Sequence, residues 1–291
     1  MEFSTFKIFR LAIGDSLSIH VAFNMTFAMS FITGIFIVFC IKERVSRAKL
    51  LQFMVGANKF VFWMTAFTID FLLMVIVTLI YVASIGSYEK LGMSSNEELL
   101  RNFQVTIVFS FAVIPYIYLL SFLFNNPSVG LIRSLFIFIV SGNFGFMLHN
   151  VLTNDLVGLK KLAKIIDWIL TLLPHYSFAR SLEVLNRKQI LMRTCEKACS
   201  GDTECVELGI DSMCELAEEF TCDNPEDSME KIFCELKTSC CTVSFISLEK
   251  DGIGWNLLIM TMVGVFFFLM LFFIEYRYIQ RLRIFFSKKK R

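Results

Sequence analysis

Asp70 is the only charged residue among the 29 that separate Lys59 from Glu89. In a helix rising 1.5 Å per residue, eleven residues carry it about 16 Å beyond Lys59. That is about half the ~30 Å hydrocarbon thickness of a bilayer. A carboxylate at such a depth costs about 2.5–3.5 kcal/mol on insertion scales and usually faces a protein interior or a wet cavity. Two readings follow from its position. It is a polar contact in a lipid-headgroup route or gate, or a protonated or hydrogen-bonded group packed on a neighbouring span, with His20, Asn24 and Asn143 as candidate partners.

Cysteine is the second reactive type. Eight of the nine thiols, Cys195, Cys199, Cys205, Cys214, Cys222, Cys234, Cys240 and Cys241, fall in one stretch of 47 residues. An even number in a short segment suits up to four disulfides in an oxidising compartment. Zinc held by Cys195-x3-Cys199 and later thiols is the alternative, and with no histidine after His175 it would need cysteines alone. The same stretch carries 13 acidic residues against Lys197, Lys231 and Lys237 from Glu196 through Lys237, a net charge of −10. So acidic an insert buries little apolar surface, and crosslinks would replace burial. Cys40 reads as a small apolar residue. His20, His149 and His175 are too scattered for a catalytic or metal-binding set, and read as satisfied interior histidines. No catalytic constellation is expected, and no metal.

The elements that must position these groups are apolar helices. Apolar residues make up 56% of the 291 and charged residues 19%, against roughly 45–50% and 25% in soluble domains. That balance excludes a disordered chain and a basic nucleic-acid binder; no nucleic-acid partner is expected. Residues 16–41, 102–132, 134–154 and 252–274 carry no Asp, Glu, Lys or Arg. A helix needs about 20 apolar residues to cross a membrane. Asn125-Asn126-Pro127-Ser128 breaks the longest run, giving five spans near 18–41, 60–86, 104–124, 129–150 and 253–275. The stretch 168–179, with Pro174, is too short to cross and reads as a re-entrant or interfacial piece within a hairpin over 156–185.

Basic residues orient the spans. The 42–59 connection is net +4, the tail after Ile274 net +6, and the 87–103 connection net −1. Five crossings put the first two on one side, expected to be cytoplasmic, and 87–103 and 151–252 outside. The Lys160, Lys161 and Lys164 cluster runs against this, with little topogenic weight in so long a segment. Residues 1–17 lack the apolar core of a cleavable signal peptide, so the first span is expected to act as its own targeting signal, in a plasma or endolysosomal membrane. As a helix, residues 42–57 would place Leu50, Leu51, Met54 and Val55 along one stripe. It would be either an anchor on anionic lipid or a docking element for a partner.

Three ordered segments carry a family resemblance. The run ERVSRAKLLQFMVGANKFVFWMTAFTID at 43–70 resembles the second membrane domain of ABC transporters of subfamily A, the lipid exporters. LLPHYSFARSLEV at 172–184 is similar to that family's segment before the last span, and DGIGWNLLIMTMVGVFFFLMLFFIEYRY at 251–278 to its final span. The resemblance implies an all-α membrane fold of the ABC-2, type II exporter-like class: five helices of a six-helix half, a coupling helix at 42–57 and paired short helices dipping into the outer leaflet. The Cys-rich extracellular insert at 190–245 departs from the family pattern. Glu43, Arg44, Lys49, Leu50 and Phe53 would meet a nucleotide-binding domain. A second transmembrane half would complete the transporter, and membrane lipid would be the substrate. The family's first span, its large outer domain and its nucleotide-binding domain are expected to lie outside this chain. The sequence holds no G-x-x-x-x-G-K-[ST] phosphate cradle, so the chain is expected to hydrolyse no ATP, and ATP and Mg would bind elsewhere. A reading from another class is a multi-pass receptor or scaffold whose disulfide-bonded cap binds an external ligand.

Overall fold

The computed structural model describes residues 2–46, 52–56, 58–87, 95–153, 159–199 and 253–289. Among these, all regular structure is helical: α1 (Glu2–Val45), α2 (Lys59–Gly86), α3 (Asn96–Ser121), α4 (Pro127–Ile139), a π-helical turn (Val140–Phe144), α5 (Gly145–Thr153), α6 (Lys160–Leu170), α7 (Pro174–Cys199) and α8 (Gly254–Lys289). Among the described residues, five helical stretches are long and apolar enough to cross a membrane: Ser16–Val45, Lys59–Gly86, Asn96–Ser121, Pro127–Thr153 and Gly254–Glu275. The chain is a multi-pass helical membrane protein. The six cysteines from Cys205 to Cys241 and the side chains of Cys195 and Cys199 lie outside what the structure describes, as does most of the 190–245 insert.

The spans follow the uncharged runs, with one informative shift. The third was expected from 104 and begins at Asn96. Ser95 and Glu98 explain the early start. The Glu98 backbone N–H donates to Ser95 Oγ at 3.3 Å, and the Ser95 N–H donates to Glu98 Oε2 at 3.0 Å. This reciprocal capping box satisfies two of the donors that a helix start leaves open. Charge alone had marked Glu97, Glu98 and Arg101 as loop; in the helix Arg101 bonds Glu97 one turn away at 2.9 Å. Ser95→Ala is expected to lower stability by about 1 kcal/mol, read as a fall in the thermal midpoint of the purified chain.

Two compact units make up the chain: Met1–Val21 with Val82–Asn102 and Ser181–Trp255, and Ala22–Tyr81 with Phe103–Arg180 and Asn256–Arg291. The first has a polar interior of Ser18, Glu98, Asn102, Glu183, Asn186, Lys188 and Gln189; Gln189 Nε2 donates to the Glu98 carbonyl at 3.4 Å. The second holds the apolar core, with Phe109, Ile114, Ile117, Tyr118, Phe138, Phe146, Tyr176 and Phe178 fully enclosed. Hydroxyls on its helices bond locally, as an apolar surrounding favours. Thr26, Ser30 and Thr33 of α1 each donate to the carbonyl four residues back, at 2.8–2.9 Å.

The turn at Asn125–Ser128 forms where the sequence placed it. Pro127 opens α4, where its missing N–H costs nothing, and the Gly130 N–H donates to the Asn126 carbonyl at 2.8 Å. Within the fourth span the π turn admits one extra residue. There Gly142 faces α7 and α1: a Cβ would sit 2.9 Å from both His175 Cβ and Thr26 Cγ2. Asn143 Nδ2 donates to the Phe23 carbonyl at 2.7 Å. His175 is fully buried, lies flat on Phe138 at 4.4 Å and meets Thr33 Oγ1 at 3.1 Å. His149 is buried too, but His20 is exposed on α1: its helix turns it away from the core, so it is not the interior histidine that was expected.

Residues 156–185 hold α6 and the start of α7. Pro174 opens α7 rather than breaking a single short element. Tyr176 Oη donates to Asp167 Oδ1 at 2.5 Å, tying the two helices together, and the opposite face of α6 leaves Leu162, Ile165, Trp168 and Ile169 exposed.

Candidate functional site: the first connection and the cavity above it

The first connection starts inside a helix. Residues 42–45 are the last turn of α1, not the start of a separate element. The Ser46 N–H donates to the Lys42 carbonyl at 2.9 Å and Ser46 Oγ to the Glu43 carbonyl at 3.0 Å, ending the helix. Residues 52–54 form a helical turn that stops at Gly56, whose φ of +99° suits a residue without a Cβ. Asn58 Oδ1 then accepts the Phe60 N–H at 3.0 Å and opens α2.

Of the five residues expected at this connection, three are described. Glu43 is exposed. Phe53 is half-buried and meets the Phe62 ring edge-on at 5.4 Å. Arg44 turns inward: its guanidinium donates to the Phe122 carbonyl at 2.9 Å and to the Phe124 carbonyl, and lies 5.7 Å over the Phe122 ring. Lys49 and Leu50 lie outside the described residues. Met54 and Val55 present apolar surface, 69% and 90% exposed.

The end of α3 shows why Arg44 is needed. From Phe122 to Phe124 the backbone N–H groups bond three residues back, at 3.0–3.3 Å, the tightened exit of a helix whose last carbonyls have no intrahelical donor. A cation there satisfies the carbonyls and the negative end of the helix dipole together.

Asp70 has a partner that spacing could not supply. Tyr118 Oη of α3 donates to Asp70 Oδ2 at 2.5 Å; His20, Asn24 and Asn143 do not fill that role. Trp63 stacks obliquely on Tyr118, ring centres 5.0 Å apart, and lies 6.5 Å from Phe122. Together α1, α2, α3 and the 52–58 turn enclose a cavity of about 600 Å³, with Glu43, Arg44, Trp63, Asp70, Tyr118 and Phe122 in its wall. Phe39, Val61 and Ile69 also line it and are 54–65% exposed, so the cavity opens through an apolar rim. Sequence reasoning missed Trp63 and Tyr118. Both look like ordinary apolar-face aromatics, and only their pairing across two helices distinguishes them.

A multi-pass helical chain whose basic first connection is clasped to the end of its third span is a membrane-domain architecture. Residues 13–273 match the family described as ABC-2 family transporter protein, and the chain belongs to it. Among curated proteins, it is 22% identical over 90% of its length to the human phospholipid-transporting ATPase ABCA3. It is 31% identical over 56% of its length to the bovine retinal-specific phospholipid-transporting ATPase ABCA4. The rat ATP-binding cassette sub-family A member 7 is 26% identical over 64%. The chain spans only 7–14% of the length of these relatives.

Proposed function

We propose that this transmembrane component moves lipid, driven by ATP that a separate nucleotide-binding domain hydrolyses, and that the first connection is where the drive enters. The relatives' phospholipid-transporting names and the 43–70 resemblance support the substrate class. The observation that carries the reading is the clasp. Arg44 fastens the end of α1 to the end of α3, and Asp70 with Tyr118 fastens α2 to α3. Force applied at 43–57 therefore reaches three spans as one body instead of bending one loop.

In this reading Met54, Val55 and Leu50 offer the apolar part of the docking face and Glu43 and Lys49 its polar rim, on the cytoplasmic side together with the C-terminal tail. The α6–α7 pair dips into the outer leaflet, and a second transmembrane half closes the lipid path. The 190–245 insert forms a disulfide-bonded outer cap. No cofactor binds this chain itself.

Leu50→Asp is the direct test. Reconstituted with its nucleotide-binding and second transmembrane partners, the variant is expected to lose at least tenfold in lipid movement per ATP hydrolysed while keeping its thermal midpoint. Phe53→Asp is expected to do the same with some loss of stability, because Phe53 also packs on Phe62. Unchanged lipid movement in both removes the drive from this connection.

A further inference from the structure

The wall of the cavity above the first connection combines two features that select one kind of occupant. Among the described residues its charged groups are Glu43, Asp70 and Arg44, a formal net charge of −1. The Arg44 guanidinium is directed at the Phe122 and Phe124 carbonyls. An anion entering would face two carboxylates, with Arg44, the cation among the described lining residues, already bonded to carbonyls. Beside Asp70 stand the rings of Trp63 and Tyr118, tilted 44° to each other with centres 5.0 Å apart, and that of Phe122. Aromatic rings beside a carboxylate attract organic cations that come within about 6 Å of a ring centre, quaternary ammonium groups above all. Arg44 over the Phe122 ring at 5.7 Å is one instance of that attraction in the same wall.

The opening adds the second half of the specification. A small hydrophilic cation would gain nothing from the apolar rim of Phe39, Val61 and Ile69, whereas an alkyl chain would run out across it into surrounding hydrocarbon. We infer that this cavity is a binding site for the ammonium head of an amphiphile, with Asp70 as counter-charge, Trp63 and Tyr118 as the aromatic walls, and the chain leaving past Phe39, Val61 and Ile69. The Tyr118 hydroxyl, donating to one oxygen of Asp70, leaves the other free to meet the head and fixes the carboxylate's direction. The inference rests on the lipid-moving reading only in that a membrane supplies the amphiphile.

The test uses the purified full chain in maltoside micelles with Trp168→Phe and Trp255→Phe, which leaves Trp63 as its only tryptophan. Hexyltrimethylammonium is titrated against its uncharged isostere, carbon in place of nitrogen. A saturable change in Trp63 emission is expected with the ammonium and not with the isostere. Asp70→Asn, whose amide oxygen can still accept from Tyr118, is expected to weaken it at least tenfold. Equal response to the isostere, or undiminished binding by Asp70→Asn, overturns the site. A second measurement needs no Asp70 variant: a hydrophobic carbodiimide should modify Asp70 several-fold more slowly with the ammonium present, and an unslowed rate overturns the proposal equally. Neither assay contains ATP or a partner, so a negative result here leaves the drive through Leu50 standing, and a negative Leu50 result leaves this site standing.

Discussion

Arg44→Ala is expected to lower the stability of the purified chain by about 2–3 kcal/mol and, under the function proposed above, to abolish the coupling of ATP hydrolysis to lipid movement. The stability figure follows from the contacts. A hydrogen bond from a charged donor contributes about 1.5–3 kcal/mol, and Arg44 makes two, to the Phe122 and Phe124 carbonyls. Arg44 is only half-buried, so water recovers part of the loss, and the expected total stays below twice the single value. The effect on coupling exceeds the effect on folding, because the lost bonds are those that join α1 to α3 where the first connection begins. Arg44→Lys separates charge from geometry. An ammonium keeps the favourable charge at the helix end but lacks the fork that reaches two carbonyls at once, so it should recover less than half of the lost midpoint. Thermal unfolding of the three proteins in one detergent reads this directly; full recovery by lysine would show that charge alone suffices.

The second large effect is expected at Gly142. An added Cβ meets His175 Cβ and Thr26 Cγ2, each at 2.9 Å, with the His175 carbonyl carbon at 3.5 Å. None of these is the loose end of a long side chain, and His175 is held by Phe138, Phe109 and Thr33. Overpacking a closed core costs about 1–3 kcal/mol; Gly142→Ala should fall in that range, and Gly142→Val should prevent recovery of folded protein. Thr26→Ser offers a specific rescue. It deletes the clashing methyl and keeps the hydroxyl that bonds the Ala22 carbonyl, so in the Gly142→Ala background it should return part of the lost midpoint while costing stability alone. Strict additivity of the two substitutions would show that Gly142 is not limited by Thr26.

Some of this architecture follows from local composition. The stretches free of charge, together with the run broken only by Asp70, mark the five spans, each as long as a bilayer needs. Asn125-Asn126-Pro127-Ser128 divides the third from the fourth because proline suits the first position of a new helix. The acidic connection near 97–101 was misread as loop. The Ser95–Glu98 pair, a cap visible in the sequence, outweighs there the charges of exposed Glu97 and of Arg101.

The site was far less legible. Asp70 stands out because a charge in an apolar run is rare, yet its partner lies 48 residues away on another helix, and a tyrosine there resembles any other ring. Arg44 reads as surface charge, since a basic residue beside a membrane end usually meets water or headgroups. Its actual partners are backbone carbonyls 78 and 80 residues on, which every residue possesses and no letter of the sequence marks.

By itself, then, the order of residues determined which segments enter the membrane, where they turn, and that one carboxylate must be accommodated inside. Helical periodicity and the energy of burying charge are local properties that a single strand of text carries. Which helix face meets which, and so that Tyr118 holds Asp70, that Arg44 grips the end of α3 and that Gly142 admits His175, was decided only by packing. Those contacts depend on the shapes of several helices at once, and no one segment encodes them.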